Sequence, residues 1–176
     1  MNSKSITSVT FILIGNMLLT YNSIGTGWTA TSTAIFGLIL FFIGLSRLKS
    51  FLDEPGQSGI SKLIWATIIG IIATLLSFIP LVGTIPAGIL NLIAFIVQIV
   101  GLLNLKNSET LGEMGAGGVN YLLMAMVLMV IASVLGMVPF AGDYIKSAIS
   151  LIAFILIPFG WIKIQEALIP EERNNS

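Results

Sequence analysis

The sequence predicts an all-α, polytopic membrane protein: six transmembrane helices arranged as three tandem parallel helical hairpins. Three observations predict it. Six long stretches are apolar and almost free of charge, at 6–24, 29–46, 63–79, 85–105, 119–138 and 145–162. The pentapeptide Leu-Ile-Ala-Phe-Ile occurs twice, at 92–96 and 151–155. Basic residues fall almost entirely on one side of the implied membrane.

Each stretch is close to the length of about 20 mostly apolar residues that a helix needs to cross a hydrocarbon core of about 30 Å. Only the sixth holds a charge, Lys146 at its outer end. The first is the weakest, interrupted by Asn16, Thr20 and Asn22. Lys4 ahead of the apolar run 11–19 also has the outline of a signal peptide, but no Ala-x-Ala cleavage site follows, so a first membrane helix is the expectation.

Sliding residues 60–106 over 119–165 without a gap gives 13 identities in 47 positions, among them Pro80/Pro139, Gly83/Gly142 and Gly101/Gly160. A self-match at a fixed period is the mark of a duplicated unit. A third unit fits less well, through Gly44-Leu45-Ser46-Arg47-Leu48-Lys49 against Gly101-Leu102-Leu103-Asn104-Leu105-Lys106. The reading is one transmembrane domain over 1–176, with hairpin repeats at about 5–50, 60–106 and 119–165. All three hairpins enter from the same side, which relates them by an axis along the membrane normal.

The connections alternate. Those at 21–28, 80–84 and 139–144 are short and nearly uncharged, whereas 51–61 and 106–118 are longer, polar and glycine-rich and read as flexible linkers. Lys4, Arg47, Lys49, Lys62, Lys106, Lys163 and Arg173 lie on one side and Lys146 alone on the other. Basic residues favour the cytoplasmic face, so both termini are expected there, in a cytoplasmic membrane of bacterial inner-membrane type. Trp65, Tyr121 and Trp161 are expected at the inner interface, Trp28 and Tyr144 at the outer one.

At the tight turns Pro80 and Pro139 end helices, while Gly83 and Gly142 supply the positive φ of a sharp reversal. Ala66, Gly70 and Thr74, and again Ala132 and Gly136, are spaced by four, the pattern by which helices in lipid approach closely. They are read as seams within the chain, with a homo-oligomer interface as the alternative. Asn91 and Gln98, seven apart, lie about 20° from each other on one helix face. With Ser133 and Ser150 they form the candidate polar bundle interior.

Histidine and cysteine are absent and no carboxylate stands at mid-membrane depth, so the usual acid, base and metal roles have no occupants. No catalytic residue, cofactor or metal ligand is assigned. A net charge of zero argues against a nucleic-acid partner, leaving the lipid bilayer and, beyond it, a protein partner or a second copy. The expected function is a non-catalytic integral membrane protein, serving as a structural, accessory or interaction module. The alternative is an uncoupled channel or transporter-like conduit for a neutral or amphiphilic small solute.

Overall fold

A computed structural model of the chain describes the backbone of residues 3–24, 28–79, 83–136, 138 and 142–169, and the side chains of somewhat shorter stretches near the two ends and the turns. Six helices follow in order: α1 (Ser3–Ile24), α2 (Trp28–Lys49), α3 (Glu54–Ser77), α4 (Thr84–Lys106), α5 (Gly112–Leu135) and α6 (Gly142–Ala167). Four of them are long and apolar enough to cross a membrane: α3, α4, α5 and α6 from Tyr144 onward. In hydrocarbon a backbone must satisfy its own polar groups, and a helix does so within one segment. The outer surface has the matching chemistry, with Leu75 63% exposed, Ile85 76% and Leu151 60%. Such a surface is at home against lipid tails, and the chain is a helical membrane protein.

Each odd-numbered helix lies chiefly against the even-numbered helix that follows it, and smaller contacts join α2 to α3, α4 to α5 and α6 to α1. Among the described residues no other helices touch, so the six form a closed ring. Residues early in an odd-numbered helix meet residues late in its partner. Gly59 abuts Gly101 and Leu105, and Gly118 abuts Gly160 and Ile164. The helices within a pair are therefore antiparallel, and the end of the ring where α3 and α5 begin is called basal here.

Large buried side chains concentrate in this basal half: Val9 and Ile12, Leu45 and Leu48, Ile60 and Leu63, Leu102 and Leu105, Val119 and Leu122, Trp161 and Ile164. Beyond Met126 toward the far end, the buried hydrophobic side chains among the described residues are alanines: Ala73, Ala87, Ala94, Ala132 and Ala153. The ring is thus tightly filled at its base and thinly filled above it.

The structure corrects several expectations. The glycine-rich stretches 55–59 and 112–118 are helix, forming the first turns of α3 and α5. Pro55 is tolerated because the first helical positions lack an intrahelical N–H acceptor anyway. The glycines serve contact. A Cβ on Gly59 would stand 2.6 Å from the Leu105 nitrogen, and one on Gly118 would stand 2.6 Å from the Gly160 carbonyl oxygen. Gly70, by contrast, has open space where its Cβ would be, and Thr74 is exposed and donates its hydroxyl to the Gly70 carbonyl at 2.9 Å. Of the spaced small residues, Ala66 and Ala132 are buried, whereas Gly136 caps α5 under the aliphatic part of Lys146.

At the far turns Gly83 has a negative φ of −76°, so positive φ is not its reason for being glycine. Its Cβ would collide with the Leu76 carbonyl oxygen at 1.9 Å, and that of Gly142 with the Gly136 oxygen at 2.6 Å. Gly83 N–H donates to Ile79 O at 3.0 Å and Gly142 N–H to Val138 O at 2.9 Å, the same reversal twice. Pro80 and Pro139, and the side chains of Trp28 and Asp143, lie outside the described residues.

A polar latch joins the two described basal connections. The Ser108 hydroxyl donates to one oxygen of the Asp53 carboxylate and the Glu109 N–H to the other at 2.8 Å. The Asp53 N–H donates to the Thr110 hydroxyl at 3.1 Å. Burial pushes the Asp53 carboxyl up, but the Ser108 hydroxyl and the N–H groups of Glu109 and Gly56 together outweigh it and hold it below the usual carboxylate value.

Two predictions follow from this packing. In detergent-solubilised protein, Gly118→Ala lowers thermal stability by about 1–3 kcal/mol through overpacking. Gly70→Ala is neutral or stabilising by up to about 1 kcal/mol, since helix propensity rises and nothing is displaced. Because the Asp53 pKa is depressed on folding, its contribution is present above the unfolded value and lost as pH falls through the folded one. The difference in melting temperature between the native chain and Asp53→Ala is therefore positive at pH 7 and shrinks below about pH 4, as a pH series of melts reads directly.

Candidate functional site: an axial cavity

A cavity of about 210 Å³ is lined from every helix of the ring. Since each helix touches only its neighbours, a space bordered by all six lies inside the ring, on its axis. α1 contributes Asn16, α2 Phe41 and α3 Leu63. α4 contributes Gln98 and Leu102, one turn apart, and α6 Ile157 and Trp161 at the same spacing. α5 presents Leu122, Ala125, Met126 and Met129, steps of three and four that keep one helix face to the axis.

Leu63, Leu102, Leu122 and Trp161 also belong to the basal core, so that core is the floor of the cavity. Asn16 and Gln98 bring amides to the wall and Trp161 an indole, and none of the lining residues is ionisable. A charge placed there would lose its hydration without gaining a counter-charge, which costs several kcal/mol even after relaxation. Asn16 has a partner within the protein, whereas the Gln98 carboxamide makes no hydrogen bond with the described residues.

Of the four polar residues expected in the interior, Gln98 alone reaches the cavity wall. Asn91 is exposed and lies two turns further along the same face of α4, and Ser150, half-buried, stands two turns from Ile157 on α6. Ser133, one turn beyond Met129, is exposed and gives its hydroxyl to the Met129 carbonyl at 3.0 Å. These three continue the axial faces toward the thinly filled end without meeting one another. Asn16, which in the sequence only weakens the first apolar stretch, is the second amide of the wall. Trp161, expected at the membrane interface, is 3% exposed and forms part of the floor, while Trp65 is 61% exposed on the outside.

Cations and polar groups collect at the basal rim. Arg47 stands over the Phe11 ring at 5.3 Å and Lys163 over Tyr121 at 5.6 Å. The Lys62 ammonium donates to the Ser58 hydroxyl at 2.6 Å, and the Asn104 amide donates to the same oxygen at 3.2 Å. Their stems cover apolar surface while the heads stay near the basal connections, the habit of basic side chains at a membrane interface.

The two tryptophans give a direct check of this placement. Trp161→Ala destabilises the protein by about 2–4 kcal/mol, because it removes part of the cavity floor. Trp65→Ala leaves the melting temperature in detergent within about a degree of the native value, as expected for a side chain outside the packed core.

Comparison with models of protein families, with curated proteins and with solved structures finds no match for this chain, so the chemistry of the site rests on its own residues.

Proposed function

We propose that the protein is a non-catalytic, multi-pass module of a cytoplasmic membrane, in which all six helices span the bilayer as three tandem parallel hairpin copies. The support is in the burial pattern. Val9, Ile60 and Val119 are each 0% exposed, as are Leu48, Leu105 and Ile164. These two triplets occupy the same place in successive helix pairs: Gly44, Gly101 and Gly160 each lie four residues before the second triplet. They meet Ser8, Gly59 and Gly118 respectively, each one residue before the first triplet.

In this alignment the first copy is six residues shorter between its matched positions than the other two, 9 to 48 against 60 to 105 and 119 to 164. α1 and α2 are 22 residues each, about 33 Å at the rise of an α-helix, which suits them to span beside the other four. The excess of basic residues at the basal end favours that end, and with it both termini, on the cytoplasmic side.

The single observation that carries the module over an enzyme or an ion-coupled carrier is the character of the axial cavity. Its wall holds no ionisable group, and its floor is the best-packed part of the protein. Ion-coupled transport places such a group at the coupling site. A second reading, an uncoupled conduit for a neutral solute, is favoured by one feature: amides from α1 and α4 face a space bordered by all six helices.

Reporter fusions test the topology. Active cytoplasmic reporters at both the N- and C-termini are expected, and a terminus reporting from the opposite face would overturn the parallel-hairpin reading. Purification in mild detergent from native-level expression, followed by intact-complex mass spectrometry, is expected to show a fixed stoichiometric protein companion or a defined multimer. Solute efflux from proteoliposomes that vanishes in Gln98→Leu, with no companion retained, would replace the module with the conduit.

A further inference from the structure

We infer that the axial cavity is a binding site for one neutral, mainly apolar small molecule carrying a single amide- or carbonyl-type group, which pairs with Gln98. The inference deepens the module reading and rests on its six-helix ring in lipid. Four observations carry it.

The first is size. At about 210 Å³ the space exceeds the roughly 150 Å³ apolar cavity that takes up benzene in another protein, so an occupant of one ring and a polar substituent fits. The second is polarity. Phe41, Met126, Ile157 and their neighbours would hold an apolar body, and a water cluster would find few partners, since a buried water needs two to four polar contacts.

The third is Gln98 itself. The side chain is exposed where it lines the cavity, and its carboxamide has both a donor and an acceptor that no described residue uses, so both are open to an occupant. A lipid acyl chain entering the cavity would leave that amide unpaired, so the fitting occupant carries a polar group of its own. The fourth is asymmetry. In the alignment of the three helix pairs, Phe41 and Ile157 occupy the positions equivalent to Gln98. A polar group required for helix packing would be expected in each copy. Its presence in one copy, facing a space shared by all, suits a ligand bound in one orientation. Neutrality follows from the uncharged wall, which offers a carboxylate or ammonium no counter-charge.

The test uses the full chain in phosphatidylcholine nanodiscs with Trp28→Phe and Trp65→Phe, leaving Trp161 in the cavity floor as the reporter. Benzamide, toluene and benzoate are titrated as probes. Benzamide and toluene are expected to change Trp161 emission saturably, and benzoate is expected to do so only at far higher concentration. Gln98→Leu should weaken benzamide about fivefold, the effect of one hydrogen bond, and leave toluene unchanged. Met129→Phe, which fills the space from a half-exposed position, should weaken both; Ala125→Phe is the second filling variant should the first fail to reconstitute. A linear signal indifferent to the filling variants would mean partition into lipid and would overturn the inference. So would benzamide binding unchanged by Gln98→Leu, or benzoate binding as tightly as benzamide. Failure of the underlying membrane reading is seen separately, as a chain that does not enter nanodiscs or whose terminal reporters disagree.

Discussion

Everything in this bundle depends on the places where two helix backbones touch. In lipid, side chains gain little by leaving one apolar surroundings for another, so association is driven by close packing. Gly59 against Gly101, Gly118 against Gly160, and Gly44 against Ser8 bring the helices of each pair together near the base. Gly15 against Gly37 adds a second touch between α1 and α2. A glycine inside a helix is unfavourable by about 1 kcal/mol relative to alanine. The favourable contacts made at these positions offset that disadvantage, and the open surroundings of Gly70 show that a glycine alone does not create such a contact. With the pairs anchored at one end, the large side chains gather there, and the alanine-lined remainder leaves room along the axis.

The three-copy reading makes the departures from symmetry informative. At the level of Arg47 the rim keeps one cation in each pair but moves it between helices. Arg47 and Lys163 come from even-numbered helices and lie over Phe11 and Tyr121 on the odd-numbered partners. In the middle pair the cation is Lys62, on the odd-numbered helix, and Asn104 takes the even-numbered place. What is kept is a positive charge at that level of the bundle, as expected if its role is to face an aqueous, basic-favouring boundary. The latch differs in another way. Asp53 and Ser108 bridge the first two described connections, while the positions 59 residues later are Gly112 and Ala167, which cannot make those hydrogen bonds. There Gly112 instead takes the left-handed backbone, φ 55°, that starts α5.

Fold class and the lie of the later helices were legible because apolar length is a property of a stretch and survives local detail. Helix beginnings were not. Pro55-Gly56-Gln57-Ser58-Gly59 and the run from Gly112 to Gly118 have the composition of linkers, and only the partner helix reveals that their glycines are contact points. No local pattern distinguishes the two uses. The same limit explains Trp161: interfacial and buried tryptophans look alike in sequence, and its four-residue spacing from Ile157 acquires meaning once the axis is known. On the three-copy reading the first copy is hard to see because it is six residues shorter between matched positions, so a gapless comparison in register for α2 is out of register for α1. Gln98 could be singled out because an amide in so apolar a stretch is conspicuous, whereas Asn16 stood near Thr20 and Asn22 and looked like a flaw in a weak helix.

The location of the cavity bears on what kind of protein this is. A path across a membrane needs a polar or at least displaceable lining from one face to the other. Here the space is bounded basally by Leu63, Leu102, Leu122 and Trp161, large residues interlocked with a layer that is fully buried. Opening it would mean drawing those large side chains apart, in the part of the protein with the most packing to lose. A pocket with a fixed floor and one unpaired amide can be occupied without any such movement, and its occupancy would stiffen the thinly filled half of the ring above it. Binding that orders a loosely packed region alters how that region meets its neighbours in the bilayer, so on the proposed reading a small neutral ligand would act on the protein's outer surface through packing alone.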